Sequence, residues 1–334
     1  MAIMVEKISD GMIEFLKLKG NTPIEVKSIL EEASSRKYYR VSYRENNLIL
    51  CEDSNFQSSG KNFLQVQKFL FENNFSVPKI IKVNVENKWI LMSDEGEDLT
   101  SISEEKKFLD RVREALDIVL KLQRAIPISL IRNKSFDYKK LEFELNYFLI
   151  GFKKFRDKLG FNTSIEFELI EFLYTVNSYL AKFEKKVICH RDFHSRNLLL
   201  NSVGSVSMID FQDMMMGTPH YDLVSILHDS YRPISKEARN GLYEYFKEKS
   251  EYKNYKFREV YFTQALQRLF KALGTYIVQF SELGKSKYKE SIIQCLINLE
   301  EIIQEGFFPD TLYLFVTDLK TELQNPDLFG NQQI

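Results

Sequence analysis

Cysteine is scarce in this chain: Cys51, Cys189 and Cys295 are the only three in 334 residues, and they lie far apart. No disulfide framework can be built from them, which removes the small secreted scaffolds from consideration. An excess of either charge is also missing. Lys and Arg number 46 against 47 Asp and Glu, so neither a nucleic-acid surface nor a polybasic membrane patch is expected. No apolar run is long enough to span a bilayer, and the first residues carry Glu6, Lys7 and Asp10 where a signal peptide would be apolar. Cytoplasmic residence is the resulting expectation. Repeats, low-complexity tracts and Pro/Gly/Ser linkers are absent as well, while a hydrophobic content of 44% suffices for one large core or two lobes that fold together.

What is present concentrates in one stretch. His190-Arg191-Asp192-Phe193-His194-Ser195-Arg196-Asn197 is followed, after a short hairpin, by Ile209-Asp210-Phe211-Gln212-Asp213. H-R-D-x-x-x-x-N and then D-F is the spacing with which kinases supply a catalytic base and two magnesium ligands. A hydroxyl is a poor nucleophile until its proton has a destination, and an aspartate such as Asp192 can orient it and accept that proton. The hard magnesium ion wants oxygen donors, which the amide of Asn197 and the carboxylate of Asp210 would provide. Arg191 is a candidate for orienting the acceptor or the transferred phosphoryl group. Cys189, His190 and His194 permit a competing zinc reading, but the other cysteines are too remote to complete such a site.

The flanks read as a scaffold for this loop. Lys186–Cys189, Leu198–Leu200 and Val206–Ile209 have the look of short strands, with 201–204 as the turn between the last two. Towards the N-terminus, Arg36–Tyr43 and Leu48–Cys51 form a strand pair around Asn46-Asn47. Ile80–Val85 and Lys88–Met92 form another around Glu86-Asn87. Between the pairs, 61–74 has helical spacing with Phe63, Val66, Phe69 and Leu70 on one face. Ser101–Glu104 and Thr163–Glu166 read as capping boxes, and Thr218-Pro219 as an N-cap with proline at the first helical position. Most of 104–310 is expected to be helical, and the aromatic residues of 136–183 are read as core packing, with stacking on a sugar a lesser possibility.

With these residues the chain resembles the aminoglycoside phosphotransferase and choline kinase-like family, which shares the protein-kinase fold. The run from His190 to Leu200 and from Met208 to Tyr231 is most similar to bacterial anomeric kinases of N-acetylmuramate and N-acetylglucosamine, and 33–40 and 266–274 add to the likeness, which spans about residues 30 to 310. The resemblance implies an α+β, bilobal fold: a small antiparallel-sheet N-lobe over 1–94 that binds nucleotide, and a larger, mainly helical C-lobe over 95–334 with the catalytic loop, metal site and acceptor site. It implies ATP and magnesium as cofactors, a small-molecule acceptor, no nucleic-acid or membrane partner, and a monomer or weak homodimer. The acceptor hydroxyl would be the anomeric one of an N-acetyl amino sugar; an aminoglycoside, choline or ethanolamine, or a nucleotide-binding pseudokinase scaffold, are the alternatives.

Departures from the protein-kinase pattern matter. No G-x-G-x-x-G precedes the first strand pair; Ser34, Ser35, Arg36 and Lys37 stand there instead, able to contact phosphates or simply to form a turn. The strand 48–53 has no lysine and the following helix no partner glutamate, an economical joint loss because a buried unpaired charge is costly. Asp94 and Glu95 lie where the family places its adenine-reading hinge, although an ordinary acidic loop has the same composition. Asp222 would, by resemblance, bond to the catalytic-loop backbone; otherwise it is a carboxylate favoured by a helix dipole. Asp213 is a candidate for metal or sugar hydroxyls, or a solvated loop acid. Gln264, Gln267, Arg268 and Lys271 fall on one helical stripe, expected to face water; if it lines a cleft, Arg268 and Lys271 suit a neutral or anionic sugar better than a polycation.

Overall fold

A computed structural model describes residues 9–18, 23–29, 36–44, 46–306 and 308–325. The chain divides into two compact units, Met1–Ser101 with Arg196–Asp213, and Ile102–Ser195 with Met214–Ile334. The expected boundary after residue 94 is therefore moved to Ser101, and the segment that carries Asn197 and Asp210 returns to the first unit. Hydrogen bonding explains the return: Met208 N–H donates to the Ser76 carbonyl at 2.9 Å, and Asn201 Nδ2 donates to Ser76 Oγ at 3.2 Å.

The first unit holds α1 (Asp10–Leu16), β1 (Glu25–Ile29), β2 (Arg36–Ser42), β3 (Asn47–Asp53), α2 (Lys61–Glu72), β4 (Ile80–Asn84) and β5 (Trp89–Ser93). Among the described residues the strands form one antiparallel sheet in the order β1-β2-β3-β5-β4. The strand pairs expected from sequence are there, and β1 is the strand that periodicity missed. Alternation sorts the two faces. Val26, Val41, Leu48, Leu50, Trp89 and Leu91 meet Met12, Phe15 and Leu16 of α1 in one apolar cluster. Helix α2 buries Phe63, Val66, Phe69 and Leu70, the face its spacing predicts.

The remaining strands are β6 (Glu97–Asp98), β7 (Val187–Cys189), β8 (Leu198–Leu200), β9 (Val206–Met208) and β10 (Met215–Gly217). In the first unit β6, β8 and β9 form a small antiparallel sheet. Gly96 allows that pairing: its φ is +89°, and a Cβ there would sit 2.4 Å from the Leu200 carbonyl oxygen. In the second unit β7 pairs with β10.

The second unit is helical: α3 (Glu105–Arg124), α4 (Ser129–Arg132), α5 (Tyr138–Leu159), α6 (Phe167–Ala181), α7 (Tyr221–Leu227), α8 (Lys236–Lys249), α9 (Phe257–Ser281), α10 (Tyr288–Glu305) and α11 (Asp310–Gln324). Three expected caps are corrected. Helices α3 and α6 begin after Glu104 and Glu166, which make no side-chain cap bond. The hydroxyl of Thr163 is drawn instead to Glu322 at 2.6 Å, and that of Thr218 to Gln264 Oε1 at 2.7 Å, leaving His220 at the N-cap of α7. Long-range partners have outcompeted local capping in both threonines.

Helix α9 is buried nearly all round, the mark of a central helix. It crosses α5 closely because Gly274 lies against Phe148, whose Cα a Cβ would approach to 2.9 Å, and Gly151 lies against Val278 at the same distance. The crossing brings the polar residues of α9 onto α5.

The absent strand lysine has a local counterpart. Arg36, at the start of β2, is buried; its Nε donates to Asp53 Oδ2 at 2.9 Å, a terminal nitrogen donates to the Ser59 carbonyl at 3.0 Å, and its guanidinium lies over the Phe63 ring. Asp53 also accepts from Asn55 N–H and Ser59 Oγ. Replacing Asp53 by Ala strands a buried cation, and unfolding in urea should show a loss of about 3–5 kcal/mol; unchanged stability would contradict a structural role for the pair.

Candidate active site

In the second unit, the loop after β7 is pinned at both ends by buried carboxylates. Asp222 of α7 accepts from the backbone N–H groups of His190 at 2.7 Å and Arg191 at 3.1 Å. Arg191 has φ +85°, a backbone conformation that a non-glycine residue keeps only when its surroundings hold it there. At the other end Asp229 accepts from the backbone N–H of Ser195 at 2.8 Å and from its hydroxyl, and also from Tyr231 N–H. Burial raises the pKa of both carboxyls against the pull of these bonds. The role expected of Asp222 is thus present, while Asp229 had no signal in the sequence.

Asp192 lies between the two anchors with 31% of its side chain exposed. Lys271 Nζ donates to its Oδ1 at 2.7 Å, and a terminal nitrogen of Arg268 stands 3.6 Å from the same oxygen. Desolvation alone would raise the pKa of this carboxyl. Lys271, then Arg268 and Arg191, outweigh that and hold it well below the usual carboxylate range. The three cations thus favour the ionised form of Asp192.

The polar stripe of α9 does not face water. Gln264, Gln267 and Arg268 are buried, because α9 is central and the stripe meets α5, α7 and the loop of Asp192. A relay runs along it: Thr218 Oγ donates to Gln264, Gln264 Nε2 to Gln267 Oε1 at 2.8 Å, and Gln267 Nε2 to Glu144 Oε2 at 3.0 Å. Glu144, on α5, further faces Lys140 at 3.4 Å and Arg191 at 3.9 Å. Arg268 Nε is fixed by a bond to Ser225 Oγ at 2.9 Å. A small cleft opens here, lined by Glu144, Leu145, Asn177, Gln267, Phe270 and Lys271. Glu144 escaped the sequence reading because it is one of many glutamates on an amphipathic helix.

Burial favours the neutral form of two histidines in the second unit, His220 and His228. His220 is fully buried against Phe257, without a hydrogen-bond partner for either ring nitrogen, and burial lowers its pKa to about 3. Burial likewise holds His228 well below its usual value. Below the unfolded pKa of 6.5 the unfolded chain takes up protons that the folded chain refuses, so stability falls with falling pH. His220 alone should cost about 2 kcal/mol at about pH 5. Thermal melts between pH 7 and 5 test this, with His220→Phe expected to flatten the dependence.

In the first unit, the two expected metal ligands meet. Asn197 Nδ2 lies 3.4 Å from Asp210 Oδ2, and Ile209 N–H donates to the Asn197 carbonyl at 3.0 Å. Asp210 has φ +61° and is exposed; Gln212 Nε2 donates to its Oδ1 at 2.7 Å. The amide nitrogen of Asn197 faces Asp210 here; turned over, the amide would add its oxygen to the carboxylate as a donor pair for a hard divalent cation. Phe211, beside Asp210, stacks on Phe63 at 5.1 Å between ring centroids, tying this turn to α2. Tyr38, on the same sheet face as Arg36, has its phenol pKa pushed up by burial, with Asp210 contributing, a neighbour that sequence reading did not find.

The remaining candidates are dispersed. Ser34 and Ser35 lie outside the described residues. Arg36 is committed to Asp53, whereas Lys37 is exposed on β2. Side chains of the hinge candidates serve the fold: Asp94 pairs with Arg40 at 2.8 Å and accepts from Gly96 N–H, and Glu95 accepts from Ser93 Oγ. Asp213 is exposed. Among the described residues no cluster of His, Cys, Asp and Glu could hold a metal, so the zinc reading of Cys189, His190 and His194 finds no site.

A family profile described as the phosphotransferase enzyme family matches residues 25–258. The chain belongs to that family. This phosphotransferase is 26% identical over 307 residues, 86% of this chain and 88% of the other, to the N-acetylmuramate/N-acetylglucosamine kinase of Neisseria meningitidis. It is 25% identical to the kinase of the same name from Pseudomonas aeruginosa, over 63% of this chain and 61% of the relative. In fold it is similar to spectinomycin phosphotransferase bound to ADP and spectinomycin, at a TM-score of 0.59 and 13% identity, covering 94% of this chain and all (100%) of the other. An aminoglycoside phosphotransferase bound to gentamicin superposes at 0.58 with 14% identity over 93% and 99%. The phosphotransferase thus has the α+β, protein-kinase-like fold and is a small-molecule kinase, an enzyme that transfers phosphate to a hydroxyl. No helix among its described residues is long and apolar enough to cross a membrane.

Proposed function

We propose that this phosphotransferase uses ATP and magnesium to phosphorylate the anomeric hydroxyl of an N-acetylated amino sugar. The observation that carries the reading is the setting of Asp192, an ionised carboxylate beside a cleft lined by amides, one acid, one cation and apolar side chains. Asp192 accepts the hydroxyl proton as the hydroxyl oxygen bonds to the γ-phosphorus and the bond to ADP breaks. Asn197 and Asp210 would hold the magnesium, which supplies the screening of phosphate charge. Lys37 and the backbone around Asp94 and Glu95 are the nucleotide contacts proposed on the first unit, with Ser34 and Ser35 beside them in sequence.

A polycationic aminoglycoside suits this cleft less well, because Lys271 and Arg268 stand beside Asp192 where such a ligand needs acids. The curated relatives named for N-acetylmuramate and N-acetylglucosamine support the sugar. Purified protein with ATP and magnesium should release ADP with either sugar and yield an anomeric phosphate visible by phosphorus NMR. Turnover of kanamycin or choline, with none of the sugars, would overturn the assignment.

A further inference from the structure

We infer that Lys271 reads the carboxylate of an acidic N-acetyl sugar, leaving Asp192 for that carboxylate when the acceptor binds. The inference rests on the amino-sugar reading and assigns the specificity within it. The two sugars in the relatives' name differ by one group: N-acetylmuramate carries a lactyl carboxylate that N-acetylglucosamine lacks. Something in the site must treat an added anion as favourable or neutral.

Lys271 and Arg268 stand against Asp192, Arg191 lies next to it in sequence, and the two arginines are tied to other groups. Arg268 has 8% of its side chain exposed and is fixed through Nε to Ser225. Arg191 lies in the strained loop that Asp222 pins, with its guanidinium towards Glu144. Lys271 is the more accessible, at 18%, and it lines the cleft. Its ammonium rides on a flexible four-carbon stem with rotatable donors, unlike the fixed fork of arginine.

Lys271 and Arg268 both converge on Oδ1, one of the two oxygens of the base. Release of Lys271 opens the lone pairs of Oδ1 to an incoming hydroxyl, while Arg268 stays beside Asp192. For a neutral sugar this release breaks an ion pair in a half-buried site with nothing in exchange. An acidic sugar replaces it with another. The apolar part of the lining, Leu145 and Phe270, suits the methyl of an N-acetyl group, while Asn177, Gln267 and Glu144 are held by bonds within the protein.

The test compares kcat/KM for N-acetylmuramate and N-acetylglucosamine in the wild type and in Lys271→Met, which keeps the stem and removes the charge. The acid-to-neutral ratio should fall about ten- to a hundredfold, the worth of one charge-assisted hydrogen bond. Both sugars turned over with a ratio moved by less than about threefold would overturn the inference and leave the sugar assignment standing. Wild-type protein that accepts neither sugar would overturn both. Should the variant melt normally yet lose turnover on both sugars, their dissociation constants by calorimetry carry the same ratio, and the same threefold limit decides.

Discussion

Replacing Asp192 by Asn should lower turnover by about two to four orders of magnitude while nucleotide affinity stays within about threefold of wild type. The asparagine keeps the shape and removes the basic carboxylate that would take the hydroxyl proton. The loop itself is held elsewhere, by Asp222 at His190 and Arg191 and by Asp229 at Ser195, so its path does not depend on the Asp192 side chain. A second effect accompanies the first. Lys271 and Arg268 lose their common anion, and burial then favours a neutral Lys271, whose pKa desolvation already lowers. A modest drop in melting temperature is therefore expected, and a melt run alongside the kinetics separates it from the catalytic loss. Folded variant with unimpaired turnover would remove Asp192 from the role of base.

Asp210→Asn should abolish the magnesium dependence of nucleotide binding and reduce turnover by about three orders of magnitude. Asparagine is the informative replacement because residue 210 has φ +61°, a conformation that Asn adopts readily and Ala does not. Its amide can keep the place near Asn197 and Gln212, yet it brings no charge to a divalent cation. Calorimetry with ATP, with and without magnesium, reads the effect directly. Wild type is expected to bind more tightly when the metal is present, and the variant to show no difference. A variant that retains the full magnesium enhancement would show that Asp210 is not a metal ligand.

Several misreadings of the sequence have one physical origin. The capping boxes at 101–104 and 163–166 and the N-cap at Thr218 satisfy a local rule, but Thr163 and Thr218 find distant partners, Glu322 and Gln264, that no window of a few residues contains. The stripe Gln264-Gln267-Arg268-Lys271 has the period of a solvated face. It is buried because α9 is packed on several sides, so the polar face of the helix became the wall of a site instead of a surface. Arg36 was legible as a positive charge near the expected phosphate loop, and its use in a pair with buried Asp53 was not, since the two are adjacent only across the β2–β3 register.

Local spacing determined the rest. The loop from His190 to Asn197, the strand and turn that return Asp210, the hairpins of the first unit and the apolar face of α2 are all set by residues within a few positions of one another, and periodicity and turn chemistry report such neighbours. From the sequence alone, then, came the candidate base, the two metal-ligand candidates and the reaction class. Tertiary structure decided what surrounds the base: Lys271 and Arg268 from α9, Glu144 from α5, and the anchors Asp222 and Asp229. Those residues are brought together by the close crossing of two helices at Gly151 and Gly274 and by the packing of α7 on α9, contacts between segments as much as a hundred and more positions apart, for which a linear pattern carries no signal.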